Sequence, residues 1–149
     1  MNIAAATAAD LAGWAALRQA LWPHHGLDAH AAEIAQMLDA PSDLANFIAR
    51  TADGAVVGLA EAALRHDYVN GCKTSPVAFL EGIYVVPAHR RSGAARRLIA
   101  AVEDWARACG CSEFASDAAL DNIDSHRMHA ALGFEETQRV VYFRKELRA

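Results

Sequence analysis

No apolar run in this 149-residue chain is longer than five residues, Leu98 to Val102. A bilayer-spanning helix needs roughly 20, so no membrane span is expected. Cysteine is scarce and odd in number: Cys72, Cys109 and Cys111 cannot form a disulfide framework, and no second cysteine pair or histidine pair completes a zinc site. No metal is expected. Basic residues are outnumbered, 14 Lys and Arg against 18 Asp and Glu, for a net charge of −4. A nucleic-acid partner is therefore disfavoured, because phosphate binding relies on a cationic surplus, while a cationic ligand remains open. Met1-Asn2-Ile3 is not followed by a basic region and an apolar block, so the chain reads as cytosolic. Linker-like runs of Pro, Gly and Ser are also missing, and the length suits a single domain spanning 1–149 with one site.

The residues present alternate strand and helix patterns. Asn2 to Ala6 reads as a strand, and Thr7 with Asp10 three residues on as a capping box. Leu11, Trp14, Leu17, Leu21 and Trp22 recur at helical spacing until Pro23 stops the helix. A second helix, with Ile34 and Leu38 facing inward, runs from Asp28 to about Ala40. Asn46 to Arg50 and Ala55 to Leu64 form a hairpin about Asp53-Gly54. A polar segment then leads to a strand from Val77 to Val86, whose Gly82 predicts a bulge or a close backbone approach. Helix from Gly93 to Ala108, strand from Glu113 to Ser116, helix from Asn122 to Leu132 and a closing strand from Val140 to Arg144 complete the pattern. The expected fold is a mixed α/β sheet with helices on both faces.

Chemistry is concentrated where a strand turns into a helix, Val85-Val86-Pro87-Ala88-His89-Arg90-Arg91-Ser92-Gly93-Ala94-Ala95-Arg96. The first N–H groups of a helix lack internal partners and favour anions, and small residues let a pyrophosphate approach them. Four arginines, Arg90, Arg91, Arg96 and Arg97, gather there in an otherwise acidic chain. The stretch has neither the Gly-Lys-Ser/Thr ending of a Walker loop nor the spaced glycines of a dinucleotide fold. Arg90-x-x-Gly93-x-Ala95 after Ile83-Tyr84-Val85 resembles the acyl-CoA signature of the GCN5-related N-acetyltransferases (GNAT). Asn122-x-x-Ser125-x-x-Met128-His129-x-x-x-Gly133-Phe134 resembles that superfamily's second cofactor helix, with His129 where a tyrosine is usual. The resemblance implies the GNAT fold, a mostly antiparallel sheet with a splayed pair of parallel strands. It further implies cofactor contacts at Ile83, Tyr84, Val85, Arg90, Arg91, Ser92, Gly93, Ala94, Ala95, Arg96, Asn122 and His129.

Outside these motifs, Gln19-x-Leu21-Trp22-Pro23, the loop Arg65 to Cys72, Phe79-Leu80-Glu81-Gly82-Ile83, Phe114-Ala115-Ser116-Asp117 and Ala131 to Thr137 are similar to the aminoglycoside 6'-N-acetyltransferases. That resemblance covers essentially the whole chain and implies acetyl transfer from acetyl-CoA to a 6'-amine, and a homodimer. It implies substrate contacts at Trp22, His25, Tyr68, Glu81, Asp117 and Gln138, where relatives often carry an acid at the last position. The residues independently suit a polycation: Asp67, Glu81, Asp117, Asp121 and Asp124 supply carboxylates. Glu81 interrupts an apolar run expected to be buried, and an unpaired carboxylate there is costly unless something binds it. Glu81 and Asp117 are the candidate proton acceptors. A backbone N–H from Ile83 to Val85 would serve the thioester oxygen, and His129 or Tyr142, if any group, would protonate the leaving thiolate. Cys72 lacks an activating partner. Two competing readings are a superfamily member acting on polyamines, small amines or protein N-termini, and a non-catalytic acyl-CoA-binding module.

Overall fold

The computed structural model describes residues 1–148, which divide into two compact units, Met1–Asp117 and the chain from Ala118 onward. The first holds a five-stranded sheet in the order β1 (Asn2–Ala5), β2 (Leu44–Arg50), β3 (Val56–Arg65), β4 (Val77–Val85) and β5 (Phe114–Ser116). The first three pairings are antiparallel and β4 with β5 is parallel. Helices α1 (Leu11–Leu21), α2 (Leu27–Asp39) and α3 (Ala94–Ala108) complete this unit.

Strand alternation decides which helix covers which face. Ile48 and Leu59 lie opposite each other and pack with Trp14, Leu17 and Ile34 of α1 and α2. Their neighbours Ala49 and Gly58 are also paired, and the Gly58 Cα faces Leu98 of α3, where a Cβ would stand 3.2 Å from the leucine side chain. Helices thus cover both faces of the sheet. Leu98, Ile99 and Val102 form the buried stripe of α3, as their spacing predicts. Trp14, Ile34, Ile48 and Leu59 are inaccessible to solvent, each contributing roughly 1.5–3 kcal/mol through apolar burial.

Local signals acted much as expected. Thr7 and Asp10 close a capping box around a short 3-10 turn, Ala8–Asp10, that leads into α1. Asp10 is buried and paired with Arg50 of β2, so the same carboxylate also ties the helix entry to the sheet. Gly54 takes φ +91° in the β2–β3 hairpin. Register in the β3–β4 pair jumps from Glu61 opposite Gly82 to Ala62 opposite Leu80, so Glu81 is an extra, bulged residue.

In the second unit α4 spans Ile123–Ala131, with Gly133 at φ +94° just beyond its end. The expected closing strand from Val140 to Arg144 is not formed; residues 134–148 carry no helix or strand. A strand exists only where a ladder partner takes up its N–H and C=O groups, and among the described residues no strand is paired with this segment. Val140, Val141, Tyr142 and Phe143 are consequently exposed.

Candidate active site

At the end of β4 the chain passes through a short 3-10 turn, Pro87–His89, into the bend that starts α3. Arg91 at φ +59° and Gly93 at φ +84° shape this bend, and Gly93 is the N-cap of α3. The first helical bond runs from the Arg97 N–H to the Gly93 carbonyl at 3.0 Å, and the N–H groups of Ala94 and Ala95 come before it, where a helix offers no intrahelical acceptor. Nothing lies within 4 Å of where a Cβ on Gly93 would stand, so the backbone here is open to a ligand. Ala94 packs inward while Arg91, Ser92 and Arg96 face outward and Ala95 is half-buried. The predicted arginine cluster is partly committed within the protein. Arg90 donates from Nε to the Val85 carbonyl at 2.8 Å and lies over the Tyr84 ring, and Arg97 donates to the Met1 carbonyl at 2.6 Å. Ser92 Oγ donates to the His89 carbonyl at 2.5 Å, bracing the turn.

Pairing between β4 and β5 ends at Leu80 and Ser116, although β4 continues through Ile83, Tyr84 and Val85. On that edge β4 therefore presents backbone groups without a strand partner, as the expected splay requires. Asp117, exposed, follows the last residue of β5. Glu81 departs from expectation: its side chain is 38% exposed, and Arg65 NH2 grips both its oxygens, at 2.9 and 3.2 Å. The guanidinium of Arg65 in turn stacks 3.7 Å from the centre of the Phe79 ring. The cause is the bulge, which takes Glu81 out of the alternation that buries its neighbours.

The deeply buried carboxylate of the sheet is instead Glu61 on β3, 4% exposed and not anticipated from the sequence. It receives the Trp14 indole N–H at 2.7 Å and Arg18 NH1 at 2.5 Å. Its signal was available, since it interrupts the apolar run of β3 just as Glu81 interrupts that of β4. Arg65, Arg18 and His30 were likewise not singled out.

Trp22 caps the C-terminus of α1 and its ring overlies Gly82, where a Cβ would come within 2.5 Å of it. The close approach expected at Gly82 is present, and the bulge lies beside it, at Glu81. His25 is exposed, meets His30 edge-on at 5.9 Å, and its carbonyl accepts a bond from Gln19. Tyr68 is 72% exposed on the loop after β3. That loop is tied by Glu113, which accepts from the N–H groups of Lys73 and Thr74 and from the Thr74 hydroxyl. These bonds hold the Glu113 carboxyl below its ordinary value, the Thr74 hydroxyl contributing most. Burial, and then the Glu113 charge, push the Cys72 thiol upward, which leaves it a poor nucleophile.

Within the second unit Asn122 caps α4, accepting the Ser125 N–H at 3.2 Å. His129 Nδ1 faces the Ser125 carbonyl at 2.7 Å and its ring meets Phe134 edge-on. Gln138 and Tyr142 lie exposed in the irregular segment. Among the described residues no group of three His, Cys, Asp or Glu side chains is placed to hold a metal. Among the same residues no helix is long and apolar enough to cross a membrane.

Comparison with known proteins gives this geometry a context. Residues 11–134 match the model of the acetyltransferase (GNAT) family. The chain is 57% identical over 138 residues to an aminoglycoside N(6')-acetyltransferase type 1 of Serratia marcescens, covering 93% of this chain and 94% of that one. A crystal structure of the aminoglycoside 6'-N-acetyltransferase AAC(6')-IG of Acinetobacter haemolyticus superposes with a TM-score of 0.94 at 49% identity, over 99% of this chain and all of the other. AAC(6')-Iy bound to the bisubstrate analogue CoA-S-monomethyl-acetylneamine gives a TM-score of 0.91 at 50% identity, over 98% of both chains. The anion-receptive bend, the parting strands and these matches agree, and the chain belongs to the GNAT family of acetyltransferases.

Proposed function

We propose that this protein transfers the acetyl group of acetyl-CoA to the 6'-amine of aminoglycoside antibiotics by direct attack in a ternary complex, and so confers resistance. The observation that carries the reading is the end of the β4–β5 ladder at Leu80 and Ser116, with Glu81 and Asp117 following on the two strands. The bend from Arg90 to Arg96 would take the diphosphate, and the unpaired edge of Ile83 to Val85 the pantetheine arm, while Asn122 and His129 belong to the second cofactor motif. Trp22, His25, Tyr68, Glu81, Asp117 and Gln138 would contact the sugar. The family match crosses both compact units, so we treat 1–149 as one catalytic domain.

The incoming amine is mostly an ammonium ion near neutral pH, and carboxylates at Glu81 and Asp117 both attract it and accept its proton, directly or through water. The neutral nitrogen then bonds to the thioester carbon as the carbon–sulfur bond breaks, CoA leaves as thiolate, and the second proton of the nitrogen passes through water to that thiolate, leaving a neutral amide. A backbone N–H on the open edge of β4 stabilises the charge that develops on the thioester oxygen. We infer a homodimer, supported by the apolar run Val140–Phe143, which lies exposed without a strand partner. We also infer a cytoplasmic site of action, the compartment that supplies acetyl-CoA.

Purified protein with acetyl-CoA tests the reading through thiol release in the presence of neamine or of spermidine. Turnover of neamine, with resistance on expression in a susceptible bacterium, is expected. Acetylation of spermidine or a peptide with none of neamine overturns the substrate.

A further inference from the structure

Acetyl transfer as read above leaves a buried polar cluster unused. Arg18 is 3% exposed, His30 1% and Glu61 4%, and they come from α1, α2 and β3. Removing such charges from water costs several kcal/mol per ion, and a well-packed apolar set is often as stable. Stability alone therefore does not account for them, and their directionality offers a second reason.

The Arg18 guanidinium is used on all three nitrogens. NH1 donates to Glu61 at 2.5 Å, NH2 to Glu33 at 2.6 Å, and Nε to His30 Nδ1 at 3.2 Å. A guanidinium only donates, so Nδ1 of His30 accepts and the ring proton sits on Nε2. That Nε2–H donates to the Trp22 carbonyl at 3.1 Å, an acceptor left over at the end of α1. The Trp22 N–H donates back to the Arg18 carbonyl at 2.7 Å, and the Arg18 guanidinium carbon lies 4.8 Å from the Trp22 ring centre. Trp22 Cζ2 and Cη2 rest so close to the Gly82 backbone that no side chain fits between them. Trp22 is thus held at its carbonyl, on its ring and against β4, one residue from the bulged Glu81.

We propose that Arg18 and His30 are positioning residues for the aminoglycoside subsite: through Trp22 they hold a rigid aromatic wall beside Glu81. This rests on the substrate reading given above. A ring fixed before binding loses no rotamer freedom when a sugar stacks on it, so the cluster lowers the cost of binding the drug and leaves the thioester side untouched.

The chain has three tryptophans, and incorporation of 5-fluorotryptophan gives each a fluorine resonance, with Trp22 assigned by its loss in Trp22→Phe. His30→Leu keeps bulk and removes both hydrogen bonds. The Trp22 resonance is expected to shift or broaden while that of Trp105 stays. KM for neamine should rise about tenfold, with kcat and KM for acetyl-CoA within about twofold. His30→Gln, which offers an acceptor to Arg18 and a donor to the Trp22 carbonyl, should bring KM back to within about threefold of wild type. Arg18→Lys keeps the charge but loses the Nε donor and the fork, and repeats the test should His30→Leu not fold. An unmoved Trp22 resonance, a neamine KM unchanged despite a lower Tm, or no rescue by glutamine overturns the proposal. Wild-type protein that does not turn over neamine overturns the substrate reading instead, and the fluorine spectrum, which needs no turnover, still distinguishes a held Trp22 from a loose one.

Discussion

Two arginine–glutamate pairs flank the β3–β4 bulge, and they differ in almost every physical respect except composition. Arg18–Glu61 is sealed, with side chains 4% and 6% exposed, and each partner has further hydrogen bonds to Trp14, His30 or Glu33. Arg65–Glu81 is open, 40% and 38% exposed, and rests on the Phe79 ring. A sealed pair has no access to a ligand and can act only through the side chains it holds. An open pair exchanges partners with solvent and with any cation that arrives. One extra residue in β4 separates the two cases, because it turns Glu81 out of the alternation while Glu61 stays beneath α1.

Glu61→Ala should have the largest consequence. It leaves the Arg18 charge buried without its main counter-ion, and such losses cost about 3–5 kcal/mol. A fall in Tm of about 10 °C or more is expected by calorimetry, and a fall under about 2 °C would mean that the sealed pair is no tighter than the open one. Next come Glu81→Ala and Asp117→Ala, each expected to lower turnover of neamine about 100-fold, near 2.7 kcal/mol of barrier, with acetyl-CoA affinity within about twofold by calorimetric titration. Equal losses of both would dissolve the assigned roles.

Arg65→Ala sharpens the contrast from the other partner. Half-exposed pairs contribute under about 1 kcal/mol, so Tm should barely move. Freed from its internal cation, Glu81 should bind the drug's ammonium better, and KM for neamine should fall about two- to threefold; a rise would mean that Arg65 holds Glu81 in its working position.

The smallest effect concerns Glu113, whose carboxyl is held below its ordinary value of 4.5 by the Thr74 hydroxyl and the loop N–H groups. A lowered folded value stabilises the protein above the unfolded pKa, and that contribution disappears as pH falls through the folded one. Glu113→Gln should therefore differ from wild type in urea midpoint at pH 7 and converge with it as pH falls below the folded value. A difference that persists at low pH would show that the carboxylate charge is not what ties the loop.

Much of the fold was legible because its signals are local. Pro23 after α1, the Asp53–Gly54 turn and the three- and four-residue spacing of Leu98, Ile99 and Val102 act within a few residues of where they stand. The bend about Gly93 was legible for the same reason, since its positive φ and open surroundings follow from a strand, a small residue and a helix in succession. Harder cases involve partners distant in sequence. Glu81 and Glu61 look alike in the chain, a carboxylate inside an apolar run, and only pairing register tells which is buried. Val140 to Arg144 has a strand's composition, yet composition supplies no ladder partner.

Sequence by itself determined the helices, the strands before Asp117, the bend about Gly93 and the family, because periodicity, turn residues and contiguous motifs are properties of short stretches of chain. Tertiary structure alone decided which glutamate faces solvent, which arginine each one meets, and that Trp22 is pinned between a guanidinium and a glycine of β4. Apart from the Arg18–Trp22 stack, those outcomes depend on contacts between residues 16 to 60 positions apart, whose energies exist only once the sheet and its helices have closed around them.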